Sequence, residues 1–317
     1  MIKLSAPVQP ARIAIIGAGH VGATTAYALM LRALVSEIVL IDSNMVLAEA
    51  EAADIADANA LARPARIWAG DYADAASARI AIITAGTATH GSESRMSVLT
   101  RSAAIMSDCV RSLRSAGFAG IIVVAANPVD IMAQVAFQNA GLRAKQVIGT
   151  GTLLDSSRLR QALAAKLDVA PSAVEGLVLG EHGDSEVAAF STARVGGLPV
   201  ERFTAPSAQL DTAAVAADVR DAGYRIVLGK GYTSFGIATA VVRICETIVR
   251  NERVVLPVST LLSGQFDISD LYMSLPCLLG AGGVERILSP ELSDAEQAAL
   301  RRSAAVLREA IATLKAE

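Results

Sequence analysis

Histidine is scarce in this chain, and one of its three histidines lies in a segment suited to proton transfer. His182 falls in Gly180-Glu-His-Gly-Asp184, directly after a run that predicts a buried strand, and its small neighbours would hold the ring at the strand end. An imidazole in such a place can give or take a proton near neutral pH. Taken alone, however, His182 is better explained as a structural histidine. His20, in a glycine-rich turn, and His90, in a polar loop, are weaker candidates.

A glycine motif, Gly17-Ala-Gly19-His-Val-Gly22, follows the first predicted strand and begins a helix. Gly17 permits the tight turn, Gly19 lets the backbone approach a pyrophosphate, and Gly22 allows the helix to pack closely on the sheet. The helix N-terminus then offers free N–H groups and a partial positive charge to an anion. The motif therefore predicts a dinucleotide site, with an ordinary glycine-rich turn as the alternative.

Asp42 ends the second predicted strand, 20 residues after Gly22. An acid at this place can accept hydrogen bonds from the adenosine ribose and would repel a 2′-phosphate. Ser43 and Asn44 follow without an adjacent arginine that could offset the repulsion, so NAD is favoured over NADP. By itself Asp42 could be a helix cap or turn residue. Its position after the glycines favours the cofactor role.

Strand-like and helix-like segments alternate through the first half of the chain, as in βαβ units with a parallel sheet. The predicted strands are Arg12–Ile16, Glu37–Ile41, Arg79–Thr84, Gly120–Ala125 and Gln146–Gly149, and the predicted helices are Val21–Leu34, Ser94–Ala116 and Val129–Asn139. We expect a Rossmann-type doubly wound parallel sheet that binds NAD over residues 1–150.

The pattern changes after Gly149 to a mixture of helices and antiparallel strands. The predicted elements are a helix at Leu154–Lys166, strands at Glu175–Leu179 and Val187–Val195, a helical region at Asp211–Arg250 bent near its glycines, strands at Val254–Leu262 and Tyr272–Leu279, and a helix at Asp294–Ala316. We therefore expect a mixed α+β domain for substrate binding and catalysis over residues 151–317.

The composition narrows the classes of partner. The chain has 317 residues, is 53% apolar and has a net charge of −3, which predicts a compact fold and argues against a nucleic-acid binder. Its apolar stretches are interrupted before the roughly 20 residues that a bilayer requires. Three scattered cysteines (Cys109, Cys245 and Cys277) lack metal-ligand spacing and predict buried apolar residues in a reducing compartment. We expect a cytoplasmic protein without a metal, whose partners are small molecules or its own copies.

Further motifs occur in an order that resembles one family. They are Gly91-Ser-Glu-Ser-Arg95, Asn127-Pro-Val-Asp130, Leu154-Asp-Ser-Ser-Arg158 and Lys230-Gly-Tyr-Thr-Ser-Phe235. Together with the glycine motif, Asp42 and the His182 segment, they resemble the L-lactate/malate dehydrogenase family in its lactate dehydrogenase-like branch, over nearly the whole chain. The resemblance implies an NAD-dependent L-2-hydroxyacid dehydrogenase, with pyruvate and L-lactate as the leading substrate pair.

The resemblance also implies roles for single residues. His182 would donate a proton to the substrate carbonyl, and Asp155 would fix its tautomer and stabilise the imidazolium. Arg95 would move onto the carbonyl oxygen with a closing loop. Arg158 would bind the substrate carboxylate, where a planar guanidinium makes two hydrogen bonds. Asn127 would orient the carbonyl and the nicotinamide, and the peptide bond after it is cis in the family.

Other positions match the surroundings of the two ligands. Thr233 corresponds to a residue beside the substrate side chain, and Ile237 to an apolar contact of the nicotinamide. Small residues at strand ends match positions that line the cofactor, although they also suit simple packing: Val21, Gly86, Ala125 and Thr150.

Thr89 occupies the family position that selects the substrate, six residues before Arg95. Lactate enzymes of the family carry Gln there and malate enzymes carry Arg. Because Thr is uncharged, it would leave the second carboxylate of oxaloacetate unpaired, and because it is short, it leaves room for larger 2-oxo acids. His90 could supply a positive charge at low pH, so malate dehydrogenase is the alternative.

Two expectations concern the whole chain. A non-enzymatic NAD-binding protein is a remote alternative, since such a protein has no need for His182, Asp155, Arg158 and Arg95 together. The family forms dimers and tetramers, which implies a homodimer or homotetramer here. The apolar helix faces at residues 48–60 and 227–249 are candidate interfaces, although they could equally face the core.

Overall fold

The computed structural model describes residues 11–62, 65–87, 95–203 and 210–316. The strands are β1 (Arg12–Ile16), β2 (Glu37–Ile41), β3 (Arg66–Ala69), β4 (Ile80–Ile83), β5 (Ile121–Val124), β6 (Val147–Gly149), β7 (Val174–Leu179), β8 (Val187–Val195), β9 (Leu198–Pro199), β10 (Val254–Gln265), β11 (Ile268–Gly280) and β12 (Gly283–Ile287). The helices are α1 (His20–Leu31), α2 (Met45–Asn59), α3 (Tyr72–Ala75), α4 (Arg95–Ser115), α5 (Val129–Ala140), α6 (Leu153–Leu167), α7 (Val200–Phe203), α8 (Thr212–Lys230), α9 (Phe235–Arg250) and α10 (Asp294–Ala316).

The first half of the chain forms a parallel sheet in the order β3-β2-β1-β4-β5-β6. Alternate side chains of β1 enter two apolar cores: Ile13 and Ile15 pack with α1, α2 and α9, while Ala14 and Ile16 pack with α4 and α5. Burial on both faces explains why these strands are continuous apolar runs. The predicted doubly wound sheet is confirmed. Strand order reverses beside β1, which opens a crevice at the carboxyl ends of β1 and β4.

The second half of the chain extends this sheet. β10, β11 and β12 continue it by antiparallel pairing beyond β6, giving the order β12-β11-β10-β6-β5-β4-β1-β2-β3. At the junction Ser259 pairs with Gly149, where a Cβ on the glycine would lie 2.8 Å from the Cβ of Ser259. The sequence predicted β10 and β11 as strands, but not their place in the large sheet, because pairing between distant segments leaves no local pattern.

A small antiparallel sheet, in the order β7-β8-β9, positions the chain before His182. Helix α6 packs on it through a third apolar core that includes Leu159, Leu163 and Val178. Directly after β7, Gly180 exchanges two main-chain hydrogen bonds of 3.0 Å with Ser274 of β11. The small sheet is thus tied to the large one two residues before His182. The expected mixed α+β organisation of the second half is confirmed.

Several elements differ from the sequence-based expectation. The short strands β3 and β12 were not predicted, and neither was α3. Both strands pair at an edge of the large sheet and present few buried side chains, so their sequences carry a weak apolar pattern. The predicted bent helix at 211–250 is two helices. α8 ends at Lys230, Gly231 forms its left-handed C-cap with a φ of +85°, and α9 begins at Phe235.

Several side chains of α2 and α9 that were candidates for an interface pack inside the molecule. Ala48, Ala52 and Ile55 of α2 are buried in the core, as are Ile244 and Ile248 of α9. None of the helices within the described ranges is both long enough and apolar enough to cross a lipid bilayer. The three cysteines are free and buried, as predicted.

Candidate active site

The glycine turn between β1 and α1 is closed toward the sheet and open toward the outside. A Cβ on Gly17 would lie 2.7 Å from the main-chain nitrogen of Ala85, and one on Gly22 would lie 1.8 Å from the carbonyl oxygen of Gly17. By contrast, a Cβ on Gly19, the N-cap of α1, would meet nothing within 4 Å. The open side exposes the start of α1, where main-chain N–H groups can bind a pyrophosphate. The residues present therefore fit a dinucleotide.

Asp42 holds this turn together from the end of β2. Its Oδ2 accepts a hydrogen bond of 2.7 Å from the main-chain N–H of Ala18, and its Oδ1 accepts one of 2.8 Å from Asn44. The carboxylate stays partly exposed, so its remaining lone pairs can accept ribose hydroxyls. Asp42 is therefore placed for both of the roles that the sequence left open.

A hydrogen-bonded chain of Arg158, Asp155 and His182 lies on the other side of the crevice. Oδ1 of Asp155 accepts a bond of 2.9 Å from Nη1 of Arg158, and Oδ2 lies 2.5 Å from Nδ1 of His182. Asp155 and Arg158 are three residues apart in the first turns of α6 and so share a helix face. Only 2% of Asp155 is exposed. Both oxygens of this buried carboxylate thus have a cationic or proton-bearing partner.

This arrangement favours a protonated ring at His182. Burial lowers the pKa of His182, but the hydrogen bond and negative charge of Asp155, with the charge of Asp130, outweigh burial and raise the pKa to about 9. Burial acts on Asp155 in the opposite sense, yet His182 and Arg158 hold its pKa below the ordinary range. The pair is therefore suited to carry a proton on the imidazole and a negative charge on the carboxylate at neutral pH.

A cavity of about 460 Å³ brings most of the predicted site residues together. Its lining includes residues from the ends of β5 and β6, from α6, and from the segments before and within α9. The predicted residues that border it are Val21, Ala125, Asn127, Thr150, Asp155, Arg158, His182, Thr233 and Ile237. The peptide bond between Asn127 and Pro128 is cis, in agreement with the expectation.

The glycine turn is joined to the segment that carries Thr233. The ring of His20, in the turn, stacks on the ring of Tyr232 with 3.9 Å between their centroids. Nζ of Lys230 lies 4.3 Å from the centroid of the Tyr232 ring. The glycine turn and the segment between α8 and α9 are therefore in direct contact.

Some predicted residues are not part of the cavity wall. Gly86 follows β4 and lies near Ala126, outside the lining. Thr89, His90 and the side chain of Arg95 lie outside the described residues. Their roles stay predictions.

Two acids beside His182, the buried Asp130 and the half-buried Glu186, were missed as site residues. Oδ2 of Asp130 accepts a hydrogen bond of 2.8 Å from the main-chain N–H of His182. The side chain of Glu186 borders the cavity, and its carboxylate lies within 4.8 Å of ligand atoms of both Asp155 and His182. Burial and the charge of Asp155 raise the pKa of Glu186 to about 8. Asp130 belongs to the motif Asn127-Pro-Val-Asp130, whereas the sequence around Glu186 gave no signal beyond its place four residues after His182.

Another part of the cavity wall was also missed. Helix α8 supplies it through Arg220, Gly223, Tyr224 and Val227. Tyr224 donates a hydrogen bond of 3.0 Å to Asp184, which connects this wall to the His182 segment. The helix was predicted, but helical periodicity alone cannot say which face meets a cavity.

Comparison with protein families agrees with this arrangement. Residues 11–149 match the NAD binding domain of lactate/malate dehydrogenase, and residues 152–317 match its alpha/beta C-terminal domain. The L-lactate dehydrogenase of Thermus aquaticus is 40% identical over 307 residues, covering 96% of this chain and 99% of that protein. The L-lactate dehydrogenase of Priestia megaterium is 40% identical over 301 residues, covering 94% of this chain and 95% of that protein.

Solved structures show the same likeness over nearly the full chain. The minor L-lactate dehydrogenase from Enterococcus mundtii, in its ligands-bound form, superposes with a TM-score of 0.93 at 37% identity, covering 96% of this chain and 98% of that one. MGS-M5, a lactate dehydrogenase from a Medee basin deep-sea metagenome library, gives a TM-score of 0.94 at 37% identity, covering 97% and 99%. The chain belongs to the lactate/malate dehydrogenase family.

Proposed function

We propose that the protein is an NAD-dependent L-lactate dehydrogenase, which interconverts pyruvate and L-lactate. The observation that carries the proposal is the hydrogen-bonded chain from Arg158 through Asp155 to His182, on the wall of a cavity that Val21 of the cofactor turn also borders. It combines an anion-binding guanidinium with a proton-bearing imidazole. The relatives named L-lactate dehydrogenase, which match nearly the full chain, support the same activity.

The cofactor would bind along the glycine turn. Gly17, Gly19 and Gly22 would admit its pyrophosphate, and Asp42 would accept its adenosine ribose hydroxyls. When bound, NADH supplies the hydride that reduces C2 of the 2-oxo acid. The residues that we assign to the surroundings of the cofactor are Val21, Gly86, Ala125, Asn127, Thr150 and Ile237.

His182 would supply the proton that the carbonyl oxygen gains. Because Nδ1 is engaged by Asp155, Nε2 is the nitrogen that would face the substrate. A pKa of about 9 keeps the ring protonated at neutral pH before substrate arrives. Asp155 would keep the ring oriented and would stabilise its positive charge.

The other polar groups would bind and orient the substrate. Arg158 would hold the carboxylate with two hydrogen bonds, while Asn127 would orient the carbonyl. Thr233 would contact the substrate side chain. Arg95 would approach the carbonyl oxygen when its loop closes and would strengthen its polarisation as water is excluded.

Within this class of substrate we propose pyruvate as the best, with tolerance for larger 2-oxo acids. The support is the uncharged, short side chain at Thr89, which offers no partner for a second carboxylate. Measurement of kcat/KM with pyruvate, 2-oxobutyrate, 2-oxoisocaproate, phenylpyruvate and oxaloacetate tests it. We expect oxaloacetate to be the poorest of the small substrates. A preference for oxaloacetate would instead favour malate dehydrogenase, with His90 as the cation.

We propose that the protein assembles as a homodimer or homotetramer. Large apolar side chains are exposed at the end of α8 and the start of α9, where Leu228 is 87% exposed and Phe235 is 70% exposed. Leu31 of α1 and Val46 of α2 are exposed as well. Apolar side chains exposed in a single chain are typical of surfaces that bind another copy. Light scattering after size-exclusion chromatography measures the mass, and a monomer would contradict the proposal.

We also propose a cytoplasmic location and a division of labour along the chain. The three buried free thiols suit a reducing compartment. Residues 1–150 would bind the dinucleotide, and residues 151–317 would bind the substrate and supply the acid. Cell fractionation followed by an activity assay tests the location.

A further inference from the structure

Asp130 is an acid that the fold buries directly behind the His182 main chain. It lies in the first turn of α5, three residues after Asn127, and only 1% of it is exposed. Its Oδ2 accepts the 2.8 Å hydrogen bond from the main-chain N–H of His182. The segments that carry Asn127 and His182 come from the two halves of the chain, and this bond joins them.

The dipole of α5 does not explain why Asp130 is buried. A solvent-exposed carboxylate near the N-terminus of the helix would interact with the dipole as well. Within the described part of the chain, neither Oδ1 of Asp130 nor Oγ of Ser259 makes a hydrogen bond of ordinary geometry. An incompletely bonded buried carboxylate is costly for the free energy of folding. Burial raises the pKa of Asp130 to about 6, so the group is largely ionised at neutral pH.

We propose that Asp130 is a positioning residue for His182, acting through its hydrogen bond to the main-chain N–H and through its buried negative charge. This inference rests on the proposed function and deepens it. The bond fixes the backbone that carries the imidazole relative to Asn127. The charge favours the protonated ring without a bond to it, whereas Asp155 acts through the ring nitrogen itself.

Other charged groups around His182 also affect the protonation of its ring. On α6, Asp155 stabilises the protonated ring and Arg158 opposes it. Asp130 faces the segment from its main-chain side. Among the described residues, further titratable groups near the pair are Glu181, Asp184 and Glu186, from the segment around His182, and Arg220 and Tyr224, which border the cavity from α8.

Two variants of Asp130 separate the bond from the charge. Asp130→Asn keeps an oxygen that accepts the N–H but removes the charge, so the protonated ring loses support. We expect the alkaline limb of kcat/KM for pyruvate to move toward neutral pH by about half a pH unit or more. Asp130→Ala removes the acceptor as well, and its kcat should fall by about tenfold even on the acid side of the profile.

Asp108→Asn is the matched control, since Asp108 is exposed on α4 and pairs with Arg111 at the surface. Asp108→Asn should show the same pH profile of kcat/KM for pyruvate as the wild type. An alkaline limb that does not move in Asp130→Asn would overturn the role of the charge. Equal kcat values for the Asn and Ala variants on the acid side would overturn the role of the bond.

A measurement on the wild type keeps the inference testable if the variants do not fold. The NMR signal of the His182 ring, assigned by its loss in His182→Asn, should show a small inflection near pH 6 from Asp130, separate from the changes at higher pH that come from the ring itself and from Glu186. A titration curve without an inflection near pH 6 would contradict the inference. Absence of pyruvate-dependent NADH oxidation by the wild type would instead refute the proposed function, while this titration would still report on Asp130.

Discussion

At the scale of single residues, the site depends on one buried carboxylate that serves two partners. Asp155 accepts from Arg158 with one oxygen and holds His182 with the other. The spacing of Asp155 and Arg158 on one helix is readable in the sequence. Their approach to His182 is not, because that residue lies 27 positions away on another element. The resemblance to a family supplied that link before the geometry did.

Neutralising Asp155 should impair the proton donor more than substrate binding. We expect Asp155→Asn to lower kcat by about 10²-fold, because the amide cannot stabilise the imidazolium, with a smaller change in KM. The alkaline limb of the profile should also move to lower pH, since the pKa of His182 falls without the negative charge. Steady-state kinetics over a range of pH measure both effects. Unchanged kcat would remove Asp155 from the mechanism.

Replacing Arg158 should be costly even when the positive charge is kept. Lysine offers one ammonium in place of a planar fork, so the substrate carboxylate loses a charge-assisted hydrogen bond. We expect Arg158→Lys to lower kcat/KM for pyruvate by at least about tenfold. Arg111→Lys, in an exposed pair on α4, is the control and should behave like the wild type. A wild-type kcat/KM for pyruvate in Arg158→Lys would contradict the assignment.

At the scale of elements, the glycine turn depends on two glycines, Gly17 and Gly22, that have no room for a side chain. A Cβ on Gly22 would lie 1.8 Å from the carbonyl oxygen of Gly17, so the turn would have to open. We expect Gly22→Ala to raise the Kd of NADH by at least about tenfold. Fluorescence titration with NADH measures this Kd.

Gly229 provides the matched substitution for that experiment. It lies within α8, and a Cβ there would meet nothing within 4 Å. Gly229→Ala should therefore raise the free energy of unfolding by up to about 1 kcal/mol and leave the Kd of NADH unchanged. Equal NADH affinity in the Gly22 and Gly229 variants would show that the turn does not bind the cofactor as proposed.

The elements differ in how much their sequences reveal. The parallel strands were predictable because burial on both faces makes them continuous β-branched runs, as in β1. The edge strand β3 was not, since Arg66–Ala69 lacks a fully buried side chain. The wall that α8 gives to the cavity, including Arg220 and Tyr224, depends on tertiary packing and leaves no periodic signal. The place of Glu186 on the cavity wall also depends on tertiary packing, so its sequence gave no sign of it.

At the scale of the whole molecule, the site lies where the two halves of the chain meet. The large sheet crosses from one half to the other at Gly149 and Ser259, and Gly180 joins the small sheet to Ser274. The wall of the cavity beside these junctions contains charged side chains that are shielded from solvent, such as Asp155. Its electrostatics should therefore influence the stability of the entire fold.

Glu186 should make stability fall as pH rises. The unfolded chain loses the Glu186 proton near the ordinary pKa of 4.5, whereas the folded chain keeps it until about pH 8. Because the folded pKa is raised, the contribution of this proton to stability is lost between these values. Between pH 4.5 and pH 8 the wild type should thus lose free energy of unfolding that Glu186→Gln does not lose. The difference in this free energy, variant minus wild type, should become more positive as pH rises. Urea denaturation at both ends of this range measures the difference.

Glu309→Gln, at an exposed position on α10 that does not border the cavity, is the control for that comparison. A difference between Glu186→Gln and the wild type that stays constant with pH would show that Glu186 titrates normally in the fold.

The central claim is that His182 donates the proton when pyruvate is reduced by NADH. The most direct test measures pyruvate-dependent NADH oxidation and NADH binding for the wild type and for His182→Asn. We predict that the wild type turns over and that His182→Asn loses at least about 10²-fold in kcat while its Kd for NADH is kept. Tight NADH binding without turnover in the wild type, or full turnover in the variant, would contradict the account.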